Sequence, residues 1–405
     1  MPRLRRLAGL TLLPASLLLV AAPSLAAPYK PSSDAQVLER VSARASDPRS
    51  RDIENLREAW QRDPRNPDTA VRLARRWFDE ALAQGDPRYV GHAQAALGPW
   101  WSEPAPPVAV RVQRAKLLQY GHRFDEALAD LTAVVEADAG NAEAWASAAA
   151  IRMVRADYAG ARRDCQALAP LTTPLIAVAC AAYADSMSGK IDEAARALEG
   201  ALAAAPTDTS AEERLWVLTR QAEIEERRGS DVAAESAFRA ALALGLPDVY
   251  LLSAYADFLL DRGRAGEALT LLTTPRGGAQ DAARADVLLL RLALAAKATN
   301  DRRAATWTRE LQARFEAARA RGDTTHEKEE SRFALALQGD AKRAVALARS
   351  NFEVQREAAD ARALMEAALA ARDAAAAEPA LKWLQDHGVQ GIVLRRLEQR
   401  LGALK

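Results

Sequence analysis

Apolar and polar positions recur along this chain with the period of amphipathic helices, and the helices come in pairs between residues 108 and 272. In each pair an apolar helix reaches a polar turn, as in the stretches SGKIDEA, RGSDVAA and RGRAGEA. The second helix then carries an alanine near its start and a larger apolar residue four positions later. These alanines lie 34, 33, 40 and 34 residues apart, at Ala127, Ala161, Ala194, Ala234 and Ala268.

This spacing predicts a stacked array of helix pairs. A small residue lets two helices approach closely, and one pair alone cannot bury its apolar faces, so neighbouring pairs must stack. Composition agrees, because alanine is abundant while glycine (20 residues) and proline (19 residues) are modest in number. Alanine is the strongest helix former. We therefore expect an all-α protein.

The repeat resembles a known family. Trp145, Ala148 and Ala149 match the start of a tetratricopeptide repeat, the turns match its G-x-[YIF]-x-x-A pattern, and Pro206 matches its end. The resemblance implies a right-handed superhelical solenoid of antiparallel helix pairs, with a clear array at 108–272. It further implies N-terminal helices with one divergent repeat at 27–101, divergent pairs at 283–388 and a C-terminal capping helix at 389–405.

In this family the first helices of the pairs line a concave groove that holds an extended peptide or a partner helix. Register with the family implies a set of groove positions that mix aromatic and charged side chains, which suits a protein segment. They are Lys116, Gln119, Tyr120, Glu143, Met153, Ile176, Tyr183, Ser186, Trp216, Thr219, Glu223, Arg227, Tyr250, Ser253 and Asp257.

Two cysteines are present. In the register of the repeat, Cys165 lies on the second helix of one pair and Cys180 on the first helix of the next. That placement permits a disulfide between neighbouring repeats in an oxidising compartment, and two buried free thiols are the alternative. Their spacing excludes a CxxC redox motif.

The first 26 residues differ from the rest. The basic start MPRLRR precedes an apolar run that Pro14 interrupts, and Ser24 and Ala26 are the small residues of a cleavage site before Ala27. This pattern predicts a signal peptide cut after Ala26 and a periplasmic or secreted protein; an N-terminal membrane anchor is the alternative. We expect no membrane span after cleavage.

Charge and motifs limit the function classes. The 55 basic and 54 acidic residues balance, which argues against a nucleic-acid partner. HExxH, GxSxG and glycine-rich phosphate motifs are absent from the sequence, so we expect no enzyme and no cofactor. The leading hypothesis is a non-catalytic periplasmic adaptor that binds protein partners through its groove, in envelope assembly for instance.

An alternative hypothesis concerns His326. In the stretch HEKEE, His326 and Glu330 lie one helical turn apart and could face a divalent metal or a small ligand. Acidic residues at a helix start are also favourable on electrostatic grounds alone. A second open point is the stretch LGPWWSEPAPP, in which Trp100 and Trp101 could form an exposed binding site or cover a neighbouring helix pair.

Overall fold

The computed structural model describes residues 48–84, 88–246, 248–274 and 285–404. They belong to one compact unit, residues 43–405. Every regular element within these described ranges is helical. None of the helices described is long and apolar enough to cross a membrane. The predicted signal peptide and its cleavage site lie outside the described residues.

Helices follow one another with short connections. The first are α1 (Pro48–Arg62), α2 (Pro67–Gln84), α3 (Arg88–Ala96), α4 (Val108–Tyr120), α5 (Phe124–Ala137), α6 (Ala142–Val154), α7 (Tyr158–Leu168), α8 (Pro174–Ser186), α9 (Ile191–Ala204) and α10 (Ala211–Arg228). The others are α11 (Asp231–Ala243), α12 (Val249–Asp261), α13 (Ala265–Thr273), α14 (Asp286–Ala298), α15 (Ala304–Ala320), α16 (Glu327–Phe333), α17 (Ala341–Val354), α18 (Ala358–Ala370), α19 (Glu378–His387) and α20 (Ile392–Gly402).

The packing is that of a helical solenoid. Each even-numbered helix from α2 to α18 packs against the odd-numbered helix that follows it. Even-numbered helices also pack on one another, in the series α2, α4, α6 and in the series α8 to α18. One face of the array is therefore built from the first helices of successive pairs. The predicted all-α solenoid of helix pairs is confirmed.

The recurring alanines explain how the pairs approach. Ala127, Ala161, Ala194, Ala234 and Ala268 are all at most 1% exposed. Each lies in the first turn or two of the second helix of its pair, where a larger side chain would meet the first helix. The small residue at this position therefore sets the distance between paired helices.

A left-handed residue marks the turn in each of the eight pairs from α4 to α19. These residues are His122, Ala156, Gly189, Gly229, Gly263, Asn300, Gly339 and Arg372, at intervals of 33 to 40 residues. In the third, fourth, fifth and seventh pairs the residue is glycine, which adopts positive φ without strain. The N–H of Ser230, which follows Gly229, donates to the carbonyl of Glu225 at 2.9 Å and closes the helix end. The left-handed turn therefore also recurs in pairs that have no glycine at this position, so the structural repeat includes more pairs than glycine alone indicates.

Of the two tryptophans before α4, Trp100 belongs to the core, and Trp101 packs against the core while partly buried. Trp100 is buried, and Arg114 of α4 donates to the carbonyls of Trp100 and Trp101 at 2.9 and 3.0 Å. The same guanidinium forms two hydrogen bonds with the Asp130 carboxylate, at 2.6 and 2.7 Å. Of the two interpretations of this stretch, the structure shows the covering one.

The C-terminal helices pack back on the middle of the array. Trp383 of α19 donates from Nε1 to the Tyr158 hydroxyl of α7 at 3.2 Å. The N–H of Arg356 donates to the carbonyl of Val154 at 2.8 Å. A single apolar cluster joins the two parts, formed among others by Met153, Tyr158, Met187, Phe352, Met365, Trp383 and Leu394. The helices in the middle of the array therefore pack against helices of the chain's own C-terminal part.

Candidate binding groove

Two adjoining cavities lie between these parts of the chain, and together we call them the groove. The acidic cavity, about 630 Å³, is lined mainly by residues of α10, α12, α16 and α18. The aromatic cavity, about 980 Å³, is lined mainly by residues of α2, α4, α6, α8 and α10. Leu82, Tyr120, Tyr183, His326 and Glu357 line both cavities. The groove therefore extends along much of the array.

Most residues that the resemblance implied do line this groove. Those in the aromatic cavity alone are Lys116, Gln119, Glu143, Met153, Ile176 and Trp216. Those in the acidic cavity alone are Glu223, Arg227, Tyr250, Ser253 and Asp257, while Tyr120 and Tyr183 line both.

Ser186 and Thr219 lie elsewhere, buried between helices. The Thr219 hydroxyl donates to the Leu215 carbonyl at 2.8 Å, and the Ser186 hydroxyl donates to the Tyr183 carbonyl at 2.7 Å. Ser186 Oγ also accepts a hydrogen bond from Arg227 at 2.6 Å. These two hydroxyls therefore stabilise the helices around the groove instead of facing it.

Helical spacing explains the difference. Residues four apart share a face, so on α10 the face of Trp216 continues through Arg220. On α8 the face of Tyr183 likewise continues to Met187 just after the helix end. Arg220 and Met187 do line the groove. The register implied by the family is therefore one residue off at these two positions.

Aromatic side chains surround Arg220. Its guanidinium carbon lies 4.4 Å from the Tyr250 ring centroid and 5.1 Å from that of Tyr183. Its Nη1 is 3.0 Å from a Glu223 carboxylate oxygen. Trp216, one turn away, remains 38% exposed, and Tyr250 remains 47% exposed. Large apolar surfaces thus stay open to solvent inside the groove, a feature that marks binding surfaces.

The acidic cavity has an excess of carboxylates. Nine Asp and Glu residues line it, against five Arg and Lys residues. Asp257 is held by Arg291 and Arg332, with its shortest hydrogen bond to each at 2.6 and 2.8 Å. Burial disfavours the charge of Asp257, but the two guanidinium groups outweigh burial and hold its pKa well below its usual range.

At two other carboxylates burial and neighbouring negative charge outweigh the nearby cations. Burial, together with the nearby charge of Asp261, raises the pKa of Glu226 to about 7, although Arg262 lies 3.2 Å away. Burial and the charge of Asp360 raise the pKa of Glu357. Neighbouring carboxylates therefore disfavour one another's negative charge in and around this cavity.

Gln113 of α4 is a groove residue that the family register did not indicate. It lines the aromatic cavity, is 1% exposed, and both its amide oxygen and its amide nitrogen lack a hydrogen-bond partner. Lys116 and Tyr120, three and seven residues later, line the same cavity. The i, i+3, i+7 spacing from the two predicted residues is the sequence signal that could have found it.

The side chains of His326 and Glu330 have different surroundings, although the Glu330 N–H donates to the His326 carbonyl at 2.9 Å. His326 lines both cavities, and its Nε2 atom is buried without a hydrogen-bond partner. Glu330 instead contacts Arg319 and Arg343 through one of its carboxylate oxygens. Within the described residues there is no group of three or more His, Cys, Asp or Glu side chains that could hold a metal ion.

Cys165 and Cys180 form a disulfide in the structure, with their Cα atoms 5.6 Å apart. The bond joins α7 to α8, the second helix of one pair to the first helix of the next. Cys180 lies on the groove side of α8 and lines the aromatic cavity. The disulfide therefore connects two repeats at the wall of the groove.

Comparison with known proteins gives matches to solved structures only. No family model matches the chain, and no curated protein matches it. It is similar to a tetratricopeptide repeat protein from Parabacteroides merdae, at 14% identity and a TM-score of 0.44, over 60% of this chain and 92% of that one. It is also similar to the human IFIT1 dimer with PPP-AAAA, at 15% identity and a TM-score of 0.44, over 88% and 86% of the two chains. A third match is the TPR domain of P58(IPK), at 15% identity and a TM-score of 0.23, over 73% and 98% of the two chains.

Proposed function

We propose that this chain is a non-catalytic scaffold of the periplasm or the secreted space that binds a segment of a protein partner in its groove, with envelope proteins as the expected class. The observation that carries the proposal is the exposed apolar surface of Trp216, Tyr250 and Leu82 inside a recess. Tryptophan and tyrosine are enriched where protein interfaces derive most of their binding energy.

Site-specific photocrosslinking in cells tests the proposal. A photoreactive phenylalanine at position 216 lies in the groove, and the same residue at position 232, where Val232 is 87% exposed on α11, samples a surface outside it. We expect a defined protein adduct from position 216 and none of that adduct from position 232. Identical adducts from both positions, or none from position 216, would contradict binding in the groove.

The purified chain also tests the proposed compartment. Export with cleavage after Ala26 gives a mature chain that begins at Ala27, and intact mass measurement of the protein isolated from the periplasmic fraction reads this directly. A chain that retains Met1 and stays with the membrane fraction would instead support the N-terminal anchor.

A further inference from the structure

Given the proposed function, the partner segment has a definite chemistry. We propose that the groove selects an extended segment that places basic side chains in the acidic cavity and a large aromatic side chain in the aromatic cavity. Charge, ring placement, an unpaired amide and the extent of the groove each support this choice.

Charge favours a cationic segment. Three of the five basic residues of the acidic cavity are already paired with its carboxylates: Arg291 and Arg332 hold Asp257, and Arg362 donates to Asp261 at 2.7 Å. Glu329, which is buried, lies 3.7 Å from Arg291, a guanidinium that also holds Asp257. A basic side chain entering the cavity would meet walls that carry nine carboxylates and five cations, whereas an acidic one would add to the negative charge.

The aromatic rings add a second preference. Tyr183 and Tyr250 already hold one cation, Arg220, against their faces, and Tyr250 lies at the boundary with the acidic cavity. Aromatic faces attract ammonium and guanidinium groups. Trp216, which lines the aromatic cavity and remains exposed, offers a face for an aromatic side chain of the segment.

Gln113 supplies evidence that does not depend on charge. A buried amide without partners costs free energy, so its two unpaired atoms point to a group that is missing from the unbound chain. A carboxamide has both N–H donors and a carbonyl acceptor, so it can pair with the C=O and the N–H of a peptide backbone. Its place in the aromatic cavity fits contact with the main chain of a bound segment.

The extent of the groove selects an extended occupant. The aromatic cavity reaches residues of α2 and α4, and the acidic cavity reaches residues of α18 and α20. Five residues line both, so one segment can occupy both cavities without a break. A compact ligand would fill one of them and leave the other open.

Selection from a random library of displayed dodecapeptides, with the full mature chain as the target, tests this inference. We expect the enriched peptides to contain more Arg, Lys and aromatic residues than the input library. Affinity of an enriched basic peptide should fall at least tenfold between low salt and about 0.5 M salt, because screening weakens charge contacts. Enriched peptides that are acidic or neutral would overturn the inference.

Two pairs of variants assign the effect to the acidic cavity. Glu223→Gln with Glu329→Gln removes two of its charges, and we expect about tenfold weaker binding of the enriched basic peptide. Glu193→Gln with Glu199→Gln removes two exposed charges of α9 and should leave the affinity unchanged. Circular dichroism establishes that both variants keep their helices, and equal affinities for the two would count against the inference.

The outcomes separate this inference from the proposed function. A position-216 adduct that maps to an acidic or neutral partner segment would support the scaffold function but contradict the proposal that the segment is basic and aromatic. If neither a groove adduct nor an enriched peptide is found, the scaffold function and the proposed segment chemistry are both contradicted.

Discussion

At the scale of single residues, Glu226 is the carboxylate whose surroundings have the clearest measurable consequence. It lies on α10 near Asp261 and near the guanidinium groups of Arg262 and Arg362, and it is largely removed from water. Burial and repulsion from Asp261 outweigh the two arginines, so the carboxyl group holds a proton up to about pH 7.

This predicts a pH-dependent loss of stability. Because the pKa of Glu226 is about 7 in the folded chain and 4.5 for an unperturbed glutamate, folding takes up a proton between these values, and the stabilisation is lost as the pH rises through 7. Relative to Glu226→Gln, which stays neutral, the wild-type free energy of unfolding should fall by on the order of 2–3 kcal/mol from pH 5 to pH 8. Denaturant titrations at both pH values measure this.

Glu199→Gln serves as the control, since Glu199 is exposed on α9. It should change the free energy of unfolding equally at the two pH values. A Glu226→Gln curve parallel to that of the wild type would show that Glu226 is ionised in the folded chain throughout the range.

At the scale of elements, the disulfide connects one helix pair to the next, so it supports the stacking on which a solenoid depends. The cross-link closes a short loop, with 15 positions separating Cys165 and Cys180. In the chain-entropy model a loop of this length stabilises the folded state by about 3 kcal/mol.

Cys165→Ser with Cys180→Ser should therefore lower the free energy of unfolding by about 2–3 kcal/mol, as measured by denaturant titration followed by circular dichroism. Reduction of the wild-type chain should give a loss of similar size. A reductant that shifts the wild-type transition no more than it shifts that of the double variant would show that the bond is absent in solution.

The helix pairs were the most predictable part of the structure. Alanine recurrence located the second helices because close approach requires a small residue at that one position. Glycine marks the turns at Gly189, Gly229 and Gly263 in the clear part of the array, and again at Gly339 in the seventh pair. His122 and Arg372 adopt the same left-handed conformation, which the sequence does not indicate because neither residue is a glycine. The repeat therefore becomes hard to recognise in the sequence toward the ends of the array, although the left-handed turns continue there.

Groove residues were predictable to within a helical face. The family register implied positions on the correct helices, since the first helices do stack along one face. It implied Ser186 and Thr219, whereas the residues that line the groove are their neighbours Met187 and Arg220. A shift of one residue rotates a side chain by about 100° around the helix, which is enough to turn it away from the groove. The repeat pattern of the sequence does not determine the rotation of each helix about its axis to within one residue.

At the scale of the whole described unit, contact between the C-terminal helices and the middle of the array was not predictable. Tyr158 and Trp383 are 225 positions apart, and nothing local in either segment indicates the other. Two arginines bring the same parts together within the groove, because Arg332 of α16 and Arg362 of α18 bond Asp257 and Asp261 of α12.

Removal of these arginines should loosen the contact. In Arg332→Gln with Arg362→Gln, we expect the backbone amides of α18 to exchange hydrogen at least tenfold faster, a loss of about 1.4 kcal/mol in protection. Hydrogen exchange read by mass spectrometry measures this helix by helix. Arg196→Gln with Arg302→Gln, two exposed arginines, is the matched control. Equal protection of α18 in the two variants would show that the apolar cluster alone holds the contact.

The same long-range contact also limits how this repeat protein can change in length during evolution. An open solenoid tolerates the gain or loss of a repeat, since each pair touches only its neighbours. Here Gly189, in a turn of the middle repeats, lies against Gly388 at the end of α19, close enough that a Cβ on Gly189 would sit 3.5 Å from the Gly388 carbonyl oxygen. Deletion of one pair between these turns would carry Trp383 away from Tyr158. We therefore expect relatives to keep the number of repeats between the two contact points and to vary in length outside that interval.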